Sequence, residues 1–162
     1  MKDINVQYPQ DRVQSYRLLF SQMKALLEEE RDVTANLSNA SALLNEALER
    51  VNWVGFYIMK NGRLLLGPFQ GKVACVHIAV GKGVCGTAVL ENKTQLVMDV
   101  HEFPGHIACD SASNSELVIP LRSKDRIVGV LDIDSPIIGR FDSVDASELE
   151  KIAGVIEEAC DW

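Results

Sequence analysis

The chain has 162 residues, of which 47% are hydrophobic and 24% charged, so it carries enough apolar side chains for the core of one domain. Its formal net charge of −7 disfavours nucleic acid and anionic membranes as partners, because an acidic surface repels phosphate. No apolar leader and no bilayer-length apolar run is present, which predicts a cytoplasmic protein. In that reducing compartment, four cysteines are expected to be core thiols, metal ligands or redox groups.

Two helices are predicted at the start of the chain and one at its end. Apolar residues recur every three or four positions over 13–27 and again over 37–51, with a break at 31–32. A last helix follows a cap at Asp142 or Ser143 and carries an apolar stripe up to Ala159. The stripes of the first and last helices are also compatible with a homodimer.

The middle of the chain predicts strands joined by tight turns. NWVGFYIMK alternates in polarity, Asn61-Gly62 signals a hairpin, and RLLLGPF returns as the second strand. VACVHIAV, QLVMDV, SELVIPLRS and RIVGVLDID are further strands, while GKGVCGTAVLEN turns into a short helix and 101–114 form a polar loop. Short connections, such as that at 123–125, favour an antiparallel sheet with the terminal helices packed on it. The fold class is therefore α+β, as one domain over residues 1–162.

The four cysteines differ in context, and no C-x-x-C spacing links them. Cys109 lies in the polar loop, where neighbouring amides favour a reactive thiolate, which makes it the best candidate nucleophile. Cys85 follows two glycines at a helix start, where the helix dipole is expected to lower its pKa. Cys75 is predicted in a strand. The alternative for each of the three, which residue type alone favours, is a small buried core residue, and Cys160 is assigned to the core outright.

A zinc site is the alternative use of these residues. Cys75 and His77 lie on the same side of a predicted strand, and His101, His106 and Cys109 share the polar loop. Their spacing matches no compact zinc motif, so we expect no metal.

Three carboxylates are predicted to meet at one end of the last hairpin. Asp132 and Asp134 lie two apart in LDIDS and so share a face of their strand, and the hairpin turn brings Glu116 opposite them. Crowded carboxylates raise one another's pKa, so one of them can remain protonated and act as a general acid at neutral pH. The alternative is a solvated strand end.

Trp53 and Tyr57 share a strand face with Gly55 between them. Glycine within a strand marks the close approach of a ligand or of another backbone segment, so the two rings are candidate walls for a small pocket. Packing in the core is the alternative explanation.

Longer segments resemble a known family. SELVIPLRSKDRIVGVLDIDSP resembles the terminal hairpin of GAF domains. NWVGFYI, GPFQGKVAC, GKGVCGTAV and HEFPGHIACDSASNSE are similar to segments of the free methionine-(R)-sulfoxide reductases, and the similarity extends over nearly the whole chain. The resemblance implies a single GAF domain and reduction of free methionine (R)-sulfoxide to methionine by thiol chemistry, without metal or organic cofactor and with thioredoxin as reductant.

The resemblance also implies a role for each candidate residue. Cys109 is the catalytic cysteine, Cys75 resolves its sulfenic acid by forming a disulfide, and Cys85 is a third cysteine that assists. The remaining candidates surround the sulfoxide: the carboxylates Glu116, Asp132 and Asp134 and the aromatic residues Trp53 and Tyr57. Two other functions stay open, a GAF module that senses a small ligand and a thiol redox sensor without a substrate.

Overall fold

Four α-helices and six β-strands are present in the computed structural model, which describes residues 7–107 and 111–162. The helices are α1 (Arg12–Leu27), α2 (Val33–Ala47), α3 (Gly83–Glu91) and α4 (Ser143–Ala159), with a short 3₁₀ turn at Val100–Glu102. The strands are β1 (Trp53–Lys60), β2 (Arg63–Gly71), β3 (His77–Ala79), β4 (Gln95–Val97), β5 (Ser115–Ser123) and β6 (Arg126–Ser135).

The six strands form one sheet in the order β3-β2-β1-β6-β5-β4, and every neighbouring pair is antiparallel. Asn61 and Gly62 connect β1 to β2 with φ of 53° and 79°, and Lys124 and Asp125 connect β5 to β6 with φ of 51° and 63°. Two consecutive residues with positive φ match the twist of the flanking strands. The predicted hairpins and the α+β fold class are therefore confirmed.

Helices α2 and α4 pack against one face of the sheet, α1 packs on these two helices, and together they enclose the larger core. Leu19 and Met23 of α1 and Ile152 and Ile156 of α4 lie in that core together with Phe56 of β1. The stripes that were compatible with a homodimer thus have their partners within the chain. Aspartates cap these three helices, and Asp142 forms a capping box with Asp145.

Helix α3 covers the opposite face of the sheet over a smaller core. The alternation predicted for β1 decides which residues lie there, because Val54 and Phe56 point to the larger core and Trp53 and Tyr57 to the smaller one. In residues 7–107 and 111–162, no helix has the length and apolar composition that crossing a membrane requires.

Several boundaries differ from those predicted, and β4 ends at Val97 rather than at Val100. The second helix ends at Ala47 rather than near Val51. The third strand contains only His77–Ala79, so Cys75 lies in the loop before it and not in a strand. The Leu66 amide still donates to the Val76 carbonyl at 2.9 Å, but two residues further along β2 stands Pro68, which has no N–H to continue the ladder.

Candidate active site

A cavity of about 40 Å³ opens between the sheet and the N-terminal end of α3, with room for about three water molecules. Residues of strands β1, β3, β5 and β6 line it, together with His106 and Ile107 of the segment after the 3₁₀ turn. The lining combines apolar and aromatic side chains with three carboxylates. The predicted residues that line it are Trp53, Tyr57, Cys85, Glu116, Asp132 and Asp134.

The three carboxylates come together through strand register. Glu116 of β5 is directly opposite Asp134 of β6, and Asp132 lies two residues away on the same face of β6. Glu116 is only 6% exposed and Asp132 only 5%. Glu116 and Asp132 share a side-chain hydrogen bond, which requires a proton between them. The alternative of a solvated strand end is wrong for this pair.

Burial controls the protonation of these acids. Burial raises the pKa of Glu116 well above its usual range, and the charges of Asp132 and Asp134 raise it further. Burial also raises the pKa of Asp132, although hydrogen bonds from Glu116 and Cys85 oppose the shift. His106 approaches Glu116 with Nε2 and Oε2 4.0 Å apart, but burial lowers the pKa of this imidazole, so it does not supply a compensating charge. The site therefore favours the protonated form of Glu116 more strongly than solvent does.

Cys85 lies in the first turn of α3 and is 3% exposed. Its pKa is raised well above that of a free thiol, first by burial and then by the charges of Asp132 and Glu116. The expectation that the helix dipole would lower this pKa is therefore wrong. A helix terminus contributes only about 0.3–1 kcal/mol when it is exposed, whereas full burial shifts a pKa by up to about 3–5 units. Cys85 is a neutral thiol that donates to Asp132.

The aromatic wall of the cavity contains stacked rings, and Phe69 of β2 joins Trp53 and Tyr57. Trp53 stacks on Phe69 with ring centroids 5.1 Å apart and on Tyr57 at 6.0 Å. A Cβ on Gly55 would stand 2.2 Å from Cβ of Phe69, so the glycine makes room for β2 and not for a ligand. The indole of Trp53 donates to the Lys72 carbonyl at 3.1 Å, which fixes the ring plane.

The remaining cysteines occupy different environments. The hydroxyl of Tyr57 donates to the Cys75 carbonyl at 2.9 Å, which ties the loop carrying Cys75 to the aromatic wall. Cys75 is disulfide-bonded, while Cys85 and Cys160 are free thiols. Cys160 ends α4 in the larger core, as expected. Cys109, the predicted nucleophile, lies outside the described residues.

The residues considered for zinc form no common group of ligands in the part of the chain that the structure describes. His77 is exposed on the edge strand β3, and Cys75 is disulfide-bonded. His101 pairs with Asp99, with Nδ1 and Oδ1 2.7 Å apart, and is also exposed.

Several pocket residues were not assigned to the pocket from the sequence. His106 and Ile107 approach from the polar loop, and Ser113, whose hydroxyl accepts from the Asn52 side-chain amide at 3.1 Å, lies on the far side of that loop. Val84 completes the wall from α3. The polar composition of 101–114 was the sequence signal that indicated a role for this loop in the pocket. No local sequence signal indicates that Val84 lines the pocket.

The fold and the arrangement of the site define the class of protein. A family model described as GAF domain matches residues 37–161, so the chain is a GAF-domain protein. It belongs to the free methionine-R-sulfoxide reductase family within that class.

Three relatives illustrate the similarity. The free methionine-R-sulfoxide reductase of Escherichia coli is 51% identical over 91% of this chain and 90% of its own length. A structure of fRMsr of Staphylococcus aureus in complex with substrate is 52% identical, with a TM-score of 0.87 over 95% of this chain and 99% of that one. The Neisseria meningitidis free methionine-R-sulfoxide reductase in complex with its substrate is 41% identical, with a TM-score of 0.92 over 95% and 93%.

Proposed function

We propose that this protein reduces free L-methionine (R)-sulfoxide to methionine in the cytoplasm, with thioredoxin returning the electrons. The observation that carries the proposal is the buried carboxyl group of Glu116, whose pKa is raised well above its usual range, at an aromatic-walled cavity. A sulfoxide oxygen departs from the methionine sulfur only after it has been protonated, and the raised pKa favours a proton on Glu116 for that step. The identity to curated reductases supports the same activity.

The reaction proceeds in two parts. The Cys109 thiolate attacks the sulfoxide sulfur while a carboxyl group protonates the oxygen, which gives an intermediate with a bond between the two sulfur atoms. That bond breaks as the hydroxyl passes to the Cys109 sulfur, so methionine leaves and Cys109 becomes a sulfenic acid. The Cys75 thiol then condenses with the sulfenic acid, releasing water and forming a disulfide. A thioredoxin dithiol reduces this disulfide by exchange and is itself oxidised. Two electrons thus pass from thioredoxin to the sulfoxide.

We assign the proton to Glu116 rather than Asp134. Glu116 is buried and its surroundings raise its pKa well above the usual range, whereas Asp134 is only partly buried. Asp132 and Asp134 remain available to accept from the substrate ammonium, and amides of loop 101–114 to donate to its carboxylate. Trp53 and Tyr57 form the wall against the S-methyl group, where sulfur–aromatic contacts are favourable. Cys85 assists as a hydrogen-bond donor to Asp132.

One assay separates this proposal from a ligand-sensing module and from a thiol redox sensor. The protein is incubated with free methionine (R)-sulfoxide and a dithiol, and methionine is measured over many equivalents of enzyme. Multiple turnovers are expected. Substrate binding without methionine formation would indicate a sensing module, and oxidation of the cysteines without any effect of the sulfoxide would indicate a redox sensor.

Removing the proton donor is expected to slow the reaction. Because general acid catalysis contributes about 10²–10⁴-fold, Glu116→Gln should lose kcat by that order, while Asp132→Asn and Asp134→Asn should affect mainly KM. The raised pKa of Glu116 predicts that wild-type kcat falls as pH rises through that pKa, because the carboxyl group then ionises. Glu116→Gln cannot ionise and should lose this descending limb.

A matched control is Glu150→Gln, which makes the same change on the exposed side of α4 and should leave both parameters unaltered. Wild-type kcat in all three pocket variants would contradict a catalytic role for the carboxylates.

Loss of the resolving thiol is expected to separate chemistry from recycling. Cys75→Ser should form about one equivalent of methionine and then stop in the presence of thioredoxin, apart from slow rescue by Cys85. Single-turnover methionine yield and mass spectrometry of the wild type measure the two parts, and a Cys75–Cys109 bridge is expected. Cys160→Ser is the control, since Cys160 is a free core thiol. A dominant Cys85–Cys109 bridge would reverse the resolving order.

A further inference from the structure

Three potential metal ligands from three different elements converge at the closed end of the cavity. Cys85 comes from α3, Glu116 from β5 and Asp132 from β6, and their ligand atoms all lie within 4.8 Å of one another. All three side chains are buried. Among residues 7–107 and 111–162, this is the group of histidine, cysteine and acidic side chains whose geometry suits a metal ion.

A second observation concerns the hydrogen bonding of Asp132. Oδ1 of Asp132 is buried and has no hydrogen-bond partner, although the residue is only 5% exposed and lines the cavity. An orphaned buried carboxylate oxygen is costly, so buried charges are normally paired or coordinate a metal. Among the described lining residues, Lys82 alone bears a fixed positive charge, and it is exposed.

We propose that Cys85, Glu116 and Asp132 form a binding site for a thiophilic divalent cation of the zinc class, which inhibits the enzyme by occupying the sulfoxide pocket. Zinc binds thiolate at about 2.3 Å and carboxylate at about 2.0–2.2 Å, so tetrahedral ligand atoms stand about 3.3–3.7 Å apart. The three side chains would therefore contract by about 1 Å. A thiolate ligand favours zinc or cadmium over magnesium, which prefers oxygen ligands.

The chemistry of binding is a proton exchange without oxidation or reduction. The thiol proton of Cys85 and the proton shared by Glu116 and Asp132 are released to solvent as the cation enters. Water or the nearby imidazole of His106 is available for the fourth position. Inhibition rests on the proposed function, because the cation occupies the place where the sulfoxide oxygen would be protonated. Binding of the cation does not depend on the proposed function.

Binding is tested on the oxidised protein, in which the proposed Cys75–Cys109 disulfide leaves Cys85 and Cys160 as free thiols. Cadmium is titrated, and the ultraviolet thiolate-to-cadmium charge-transfer band is recorded. The wild type and Cys160→Ser should both saturate at one equivalent, and Cys85→Ser should give no band. Asp132→Asn keeps the Cys85 thiol and should bind cadmium at least about 10-fold more weakly than the wild type. A loss of about 10-fold is the lower end of what removal of an outer-shell partner of a metal costs. Excess magnesium should not displace the cadmium.

Absence of the band in oxidised wild type, or an unchanged band in both Cys85→Ser and Asp132→Asn, would overturn the site. Loss of the band in Cys160→Ser alone would do the same, by locating the cation at the end of α4. Near-ultraviolet circular dichroism checks that each variant is folded. In the reduced enzyme, zinc should raise the apparent KM for the sulfoxide, with full recovery on chelation, and this arm alone depends on the proposed reductase activity. Zinc inhibition that leaves KM unchanged would contradict exclusion of the substrate.

Discussion

Replacement of Cys109 by serine is expected to abolish methionine formation without unfolding the protein. A serine hydroxyl is not ionised near neutral pH, and removal of a catalytic nucleophile costs about 10⁶-fold in a well-studied hydrolase, so no turnover should be detectable. The other cysteines are poorly placed to substitute. Burial raises the pKa of Cys85 well above that of a free thiol, and Cys160 lies in the larger core on the other face of the sheet.

The measurement is methionine released under a dithiol reductant, with the thermal unfolding temperature as the check on folding. Cys160→Ser is a matched control, because it makes the same chemical change in the larger core at the end of α4. It should retain wild-type kcat even if its stability falls. Reduction at the wild-type rate by Cys109→Ser would contradict the assignment of Cys109 as the nucleophile. It would favour Cys85, the free thiol in the pocket, in that role.

Blocking the charged ends of the substrate is expected to produce the second large effect. N-acetylated, C-amidated methionine sulfoxide should show kcat/KM lower than that of the free amino acid by ~10⁴–10⁵, the discrimination that sites built on buried polar contacts reach in favourable cases. The carboxylates Glu116 and Asp132 that line the cavity are buried. A blocked amine leaves Asp132 and Asp134 without their proposed cationic partner.

The choice of epimer follows from the proposed mechanism. In that mechanism the sulfur faces Cys109 while its oxygen faces Glu116, and the S epimer exchanges the positions of the oxygen and the lone pair. Free R, free S and blocked sulfoxide are compared under one reductant, with methionine or its blocked form as the readout. Comparable kcat/KM for the blocked substrate would mean that the pocket is open, and the protein would then be a general sulfoxide reductase.

Local sequence determines much of this site because strand geometry is periodic. Alternation in β1 places Trp53 and Tyr57 on the same side of the sheet as the cavity. The turn at Lys124 and Asp125 pairs Ser123 with Arg126, and the alternation and this turn were predictable because they depend on residues close in sequence. A one-residue register shift between Leu121 and Arg122, which no local signal marks, then places Glu116 opposite Asp134.

Tertiary structure alone decided the electrostatics of the pocket. Gly86 lets α3 approach the end of β3, since a Cβ there would stand 2.4 Å from the Ala79 carbonyl oxygen. That close approach buries Cys85 against Glu116 and Asp132 and raises the pKa of its thiol, whereas the sequence around Cys85 predicted a lowered pKa from the helix terminus. Gly55 likewise accommodates Phe69 of the neighbouring strand rather than a ligand. Which effect prevails at a thiol or a glycine depends on what packs against it, and burial outweighs the helix dipole because the free energy of desolvating a charge is several times larger.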